Sequence, residues 1–154
     1  MERPRIKIIS SSTQSKKAWL RKWQTGVPIL IVVSVGILIY LGYREPVVEI
    51  NSNALKLKGL YGVSLSFAEI AEADTISCNE MPAITMRTNG ISLNKVHRGK
   101  YRTTNDEKIH LNIYSGVNPV IRVVKQNGSV YYINRKNAEE TRQIFNKLNI
   151  NIIK

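Results

Sequence analysis

Val27 to Tyr43 reads VPILIVVSVGILIYLGY, a run without charge in which Ser34 and Gly36 are, besides Pro28, the interruptions of an otherwise apolar stretch up to Leu41. As a helix it would be roughly 26 Å long at 1.5 Å per residue, close to the hydrocarbon thickness of a bilayer. A core helix of this kind needs apolar neighbours on every side, more than a chain of 154 residues can supply. Pro28 is predicted at the helix start, where its missing N–H costs nothing. Trp19 and Trp23 on one flank and Tyr40 and Tyr43 on the other fall where amphipathic rings meet the two membrane interfaces. A cleaved signal peptide is the nearest competitor. The preceding segment is long for one and carries two Trp, and no small-x-small site follows Tyr43. The reading is an uncleaved, single-pass anchor that meets the lipid bilayer through Val27 to Tyr43.

Charge is distributed unevenly around that run. Met1 to Arg44 carries eight Lys or Arg against the single acid Glu2, whereas the remaining 110 residues carry fifteen against ten. More than half of the +12 net charge therefore sits in the shorter part. Basic side chains beside a span are drawn to anionic lipids, each contributing about 1 kcal/mol near the surface. Nucleic acid is the weaker reading of this excess, because it is mostly juxtamembrane. Lys7, Lys16, Lys17, Arg21 and Lys22 precede the run, and Arg44, Lys56 and Lys58 follow it. By the positive-inside rule the N-terminus is predicted in the cytoplasm and the C-terminal part outside. The predicted organisation is a basic tail over 1–26, the span over 27–43, a linker REPVVEINSN over 44–53, and one domain over 54–154.

Past the linker, period-two alternation punctuated by turn residues predicts an antiparallel, mainly β domain. Leu55 and Leu57 alternate with Lys56 and Lys58, and Val63, Leu65 and Phe67 with Ser64 and Ser66, giving a hairpin around Gly59 to Gly62. Further strands are predicted at about Ile84–Thr88, Lys95–Thr103, Lys108–Tyr114, Val120–Lys125 and Ser129–Asn134. Asn127-Gly128 predicts a type I′ hairpin turn, with positive φ at both residues, and Asn89-Gly90 a second turn. After Arg135 the period becomes helical. Asn137 is the expected N-cap, Glu139 and Glu140 favour the first turn, and Ala138, Thr141, Ile144, Phe145 and Leu148 form the apolar stripe. About seven strands with one C-terminal helix predict a partly open barrel of two packed sheets, capped by that helix.

The runs LSFAEIAEADTI (65–76), MRTNG (86–90), RGKY (98–101), PVIRVVKQNGSVYYIN (119–134) and NAEETRQIFNKL (137–148) resemble the bacterial pleckstrin-homology-like domain that is found attached to membrane spans. The resemblance extends over about Asn53 to Ile150 and implies seven strands with a capping helix. Members of that family often carry two spans before the domain, and this chain has one. Relatives of the fold bind phosphoinositides through basic residues of the first hairpin, where Lys56 and Lys58 stand here. The full basic motif is absent, so that activity is not carried over.

Residues for chemistry are sparse. The one cysteine, Cys78, excludes an internal disulfide and a Cys-based zinc cage, and with His97 it is the sole candidate nucleophile pair. A lone half-buried Cys is more often structural. His110 alternates with Ile109 and Leu111 and is predicted to face away from the core. His97 and His110 lie on different strands with no third ligand in metal spacing. No GxGxxG, Walker loop or GxSxG appears, and no cofactor is expected. KVHRGKYR (95–102) is the densest basic cluster of the domain. Arg87, Arg98, Lys100 and Arg102 are the candidate contacts to an anion or lipid headgroup, weighed against the simpler reading of a solvated edge strand kept soluble by its charges. The favoured function is a non-enzymatic module that engages a protein partner at the membrane surface, followed by an anion or headgroup sensor and then by an enzyme using Cys78 and His97.

Overall fold

The computed structural model describes residues 11–152, and the side chains of residues 26–152. The chain divides after Tyr40 into two compact units. The first is dominated by helix α1 (Ser11–Tyr43). Its window Gly26–Tyr43 is long and apolar enough to cross a membrane, and 6% of it is buried. Ser34 donates its hydroxyl to Leu30 O at 2.8 Å, so its polar group is satisfied within the helix. Pro28 is not at the helix start as predicted, because the polar segment before it continues the helix back to Ser11. The predicted roles of Trp19 and Trp23 concern side chains outside the described residues.

The second unit is mainly β, with nine strands in two sheets that do not close into a full barrel. The smaller sheet joins β1 (Val47–Ile50), β2 (Ala54–Lys58) and β3 (Val63–Ser66) in that order. The larger sheet contains β4 (Ile70–Ile76), β5 (Ile84–Leu93), β6 (Val96–Thr103), β7 (Lys108–Tyr114), β8 (Val120–Lys125) and β9 (Val130–Ile133). Its order is β4-β8-β9-β7-β6-β5, and all its pairs are antiparallel except β7 with β9, which run parallel. Helix α2 (Ala138–Ile152) closes the chain. Asn137 Oδ1 accepts the Glu139 N–H at 2.9 Å, and Thr141, Ile144 and Leu148 are buried, as the helical stripe predicted.

Two more strands are present than the sequence pattern indicated. β1 lies in the segment predicted as linker and was hidden by its four-residue length and the Pro46 before it. β4 carries Ala, Glu and Asp, which are poor strand formers. It holds through its ladder with β8 and through Ile70, Ala73 and Ile76, which pack into the two cores, while Arg122 of β8 binds Asp74 Oδ1 and Oδ2 at 2.9 and 2.8 Å and Glu72 Oε1 at 2.8 Å.

Two turn assignments also change. Asn89-Gly90 is not a turn but part of β5, and the chain reverses at Asn94, whose φ is 50°. At the β8–β9 hairpin Gly128 alone has positive φ (79°), and its N–H bonds to Lys125 O while Lys125 N–H bonds to Ser129 O. This is a type I turn followed by a glycine bulge rather than type I′.

The strands of the larger sheet alternate between two cores. Ile121, Val123 and Ile133 face Leu55, Leu57 and Leu65 of the small sheet and Ile144 and Leu148 of α2. Val120, Tyr132, Ile109, Leu111, Ile113 and Tyr101 form the other core, with Ile76, Cys78 and Met81 packed against it. Burial on both faces explains the nearly continuous apolar reading of β8.

Candidate functional site

The basic cluster of β6 is not on an edge strand, because β6 is paired on both sides, with β5 and β7. Nor does the fold gather the four predicted basic residues into one site. Strand register places Arg98, Lys100 and Arg102 on one face, opposite Asn112, His110 and Lys108, and sets Arg87 opposite Tyr101 on the other. Arg102 forms an ion pair with Asp106. Lys100 is exposed, and Arg98 is 1% exposed.

Arg98 is consumed by the chain that leaves α1. Its Nη1 donates to Gly42 O at 2.8 Å and Arg44 O at 2.5 Å, and its Nη2 to Tyr114 Oη at 2.9 Å. These are carbonyls at the C-terminal end of α1, where a helix leaves acceptors unsatisfied and where a cation is favoured by the dipole. A second buried arginine takes up the next residues. Arg135 Nη1 donates to Pro46 O at 2.7 Å, its Nη2 pairs with Glu45 Oε2 at 3.3 Å, and the Lys136 N–H reaches Glu45 Oε1 at 3.0 Å. The segment 42–46 is therefore a strap held by two guanidinium groups, in place of the predicted free linker. Sequence spacing could not show this, since Arg98 lies 54 residues from Arg44 and Arg135 lies 89 from Pro46.

Two clefts flank the Arg98 rung. One, of about 260 Å³, lies between Tyr61–Ser64 and Asn89, Lys100, His110 and Tyr131. The His110 ring stacks on Tyr131 with centroids 4.4 Å apart, so this residue is half-buried between the sheets rather than turned away from the core. The other, of about 670 Å³, is lined by Tyr43, Glu45, Asn94, Lys95, Tyr114 and Lys136 among others. Burial raises the Tyr114 hydroxyl, while the Arg98 charge opposes that shift.

Burial, and then the charges of Lys100 and Lys125, hold the His110 imidazole below its ordinary 6.5. Burial does the same to His97. The unfolded chain thus takes up protons that the folded domain resists, so stability is complete above about pH 6.5 and declines as pH falls from there toward the folded-state value. His110→Gln is expected to remove part of that decline, measured as the urea midpoint of the full chain in detergent micelles against pH. A slope identical to wild type would show that His110 is not its source.

Cys78 and His97 are engaged separately. The Cys78 thiol donates to Val117 O at 3.2 Å, and His97 Nδ1 is 3.0 Å from Ser92 Oγ. Among the described residues no group of three His, Cys, Asp or Glu side chains comes together in a way that could hold a metal ion. Comparison of the chain with family models, curated proteins and solved structures finds no match.

The feature that sequence reasoning missed is the free edge of the larger sheet. β5 is ten residues long, pairs among the described residues only with β6, and is exposed from Ile84 to Asn89, with Ile84 and Met86 at 42% and 53% exposure. Two bulges interrupt its register, between Ile84 and Met86 and between Arg87 and Asn89. The extra residues are Thr85 and Thr88, whose hydroxyls donate to Thr103 O and Lys100 O, both at 3.0 Å, and replace lost ladder bonds. The opposite edge strand, β4, packs against α2, and the edges of the small sheet are four-residue strands.

Proposed function

We propose that the chain is a single-pass, membrane-anchored, non-enzymatic module whose domain binds an extended segment of a protein partner along the outer edge of β5. The observation that carries this reading is a ten-residue edge strand, exposed over six consecutive residues and bearing two apolar side chains. Backbone groups on an unpaired edge supply the hydrogen bonds of an added strand, and Ile84 and Met86 supply apolar contacts that give it register. The charge asymmetry of the sequence supports a cytoplasmic N-terminus and a domain on the far side of a bacterial membrane. The mainly β architecture closed by α2 is the support for reading the domain as a pleckstrin-homology-like unit.

The test is a photo-crosslinking residue placed at Met86, with a control at the exposed Arg142 of α2, in the full chain at native levels in its own membranes. A discrete adduct is expected from position 86 and none from 142. Ile84→Lys, which sets a charge on the edge, is expected to reduce the adduct at least about ten-fold without changing the thermal midpoint. Equal labelling from both positions, or no adduct at 86, would overturn the edge-strand reading.

A further inference from the structure

The 670 Å³ cleft opens beside Tyr43, which is the last residue of the membrane-length apolar window. In a chain anchored by that window, the cleft stands at the level of the lipid headgroups. Its one carboxylate, Glu45, is already engaged by Arg135 and by the Lys136 backbone N–H. The ammonium groups of Lys95 and Lys136 form no ion pair among the described residues, so the lining is left cationic.

One rung inward from Tyr114, Arg98 and Asn112 face each other across β6 and β7. They are 1% and 3% exposed, and Arg98 Nε and Asn112 Nδ2 are both buried donors without an acceptor. Neither residue lines the cleft, so the donors it offers to an oxyanion are the exposed Lys95 and Lys136.

We propose that this cleft takes the phosphate-bearing headgroup of an anionic phospholipid from the leaflet next to the domain, with Lys95 and Lys136 as its cations and Tyr43 beside its glycerol. The proposal rests on the membrane-anchored reading, because only a span ending at Tyr43 brings lipid phosphates to these residues. It is independent of the exposed stretch of β5, since no residue from Ile84 to Asn89 lines the cleft. It also differs in place from the first hairpin, where Lys56 and Lys58 stand.

The experiment uses the full chain reconstituted into nanodiscs of phosphatidylcholine containing a minority of phosphatidylglycerol, then released and weighed by native mass spectrometry to count retained lipids. Wild type is expected to retain phosphatidylglycerol in preference to phosphatidylcholine. Lys95→Ala with Lys136→Ala is expected to lower that retention at least about ten-fold, since each basic side chain contributes to anionic-lipid binding. Both lysines are exposed and their ammonium groups have no partner among the described residues, so the fold is expected to be intact. Lys56→Ala with Lys58→Ala, an equal loss of charge, is expected to leave retention unchanged. Millimolar inorganic phosphate distinguishes the two sources of phosphate and is expected not to displace the lipid. A reconstituted chain with no preference for phosphatidylglycerol, an equal loss in the two double variants, or displacement by phosphate would overturn the proposal while leaving the anchor intact. A chain that stays in water and never enters the nanodiscs would overturn the anchored reading and this proposal with it.

Discussion

Arg98→Leu is expected to destabilise the full chain by about 3 kcal/mol or more, because each buried polar group stranded without its partner costs about 1–3 kcal/mol. The substitution removes the donors from Gly42 O, Arg44 O and Tyr114 Oη together. Leucine fills part of the volume but donates nothing. Arg98→Lys keeps the charge and loses the planar fork that reaches two carbonyls and a hydroxyl at once, so it is expected to fall between wild type and leucine. The measurement is urea unfolding in detergent micelles followed by tyrosine fluorescence. Arg87→Leu, at an exposed position of β5, is the comparison and is expected to stay within about 0.5 kcal/mol of wild type. Equal effects at positions 98 and 87 would mean that the strap does not depend on the buried guanidinium.

Gly99→Ala is expected to cost as much, on the order of 3 kcal/mol or more, through the backbone rather than through a polar group. Gly99 has φ of 118°, and a Cβ there would come within 2.2 Å of Asn89 O and 2.5 Å of Gly90 Cα. The neighbour cannot give way, since Gly90 is its partner in the β5–β6 ladder and a Cβ on Gly90 would meet Arg98 O at 2.2 Å. The two glycines let the strands approach closely between the second bulge of β5 and the buried Arg98. The expected consequence is detachment of β5, read as loss of amide-exchange protection in Ile84–Leu93 before the rest of the domain unfolds. Uniform protection at wild-type levels would contradict this reading of the crossing.

The parts legible in the sequence are those governed by local periodicity. The apolar run, the hairpin at Gly59–Gly62, the strands from Lys108 to Ile133 and the N-cap of α2 at Asn137 follow from alternation, turn residues and capping, all within a few neighbours. What escaped depends on partners distant in the chain. β4 forms by pairing with β8, whose Arg122 lies 48 residues from Asp74, and the strap is ordered by Arg98 and Arg135. Asn89-Gly90 has the composition of a turn, yet here the glycine serves the close contact with Gly99. The basic cluster looked like a solvated edge because composition does not reveal that β7 covers the other side of β6. His110 obeys the predicted alternation but faces the small sheet and Tyr131, since the larger sheet is covered on both faces.

The proposals for the domain all require that Gly26–Tyr43 lie in lipid. The most direct test is an alkaline carbonate wash of membranes carrying the full chain, followed by detergent extraction. An apolar helix of 18 residues across the bilayer holds the chain in the pellet through the wash and releases it only with detergent. Intact chain in the carbonate supernatant would contradict the anchor.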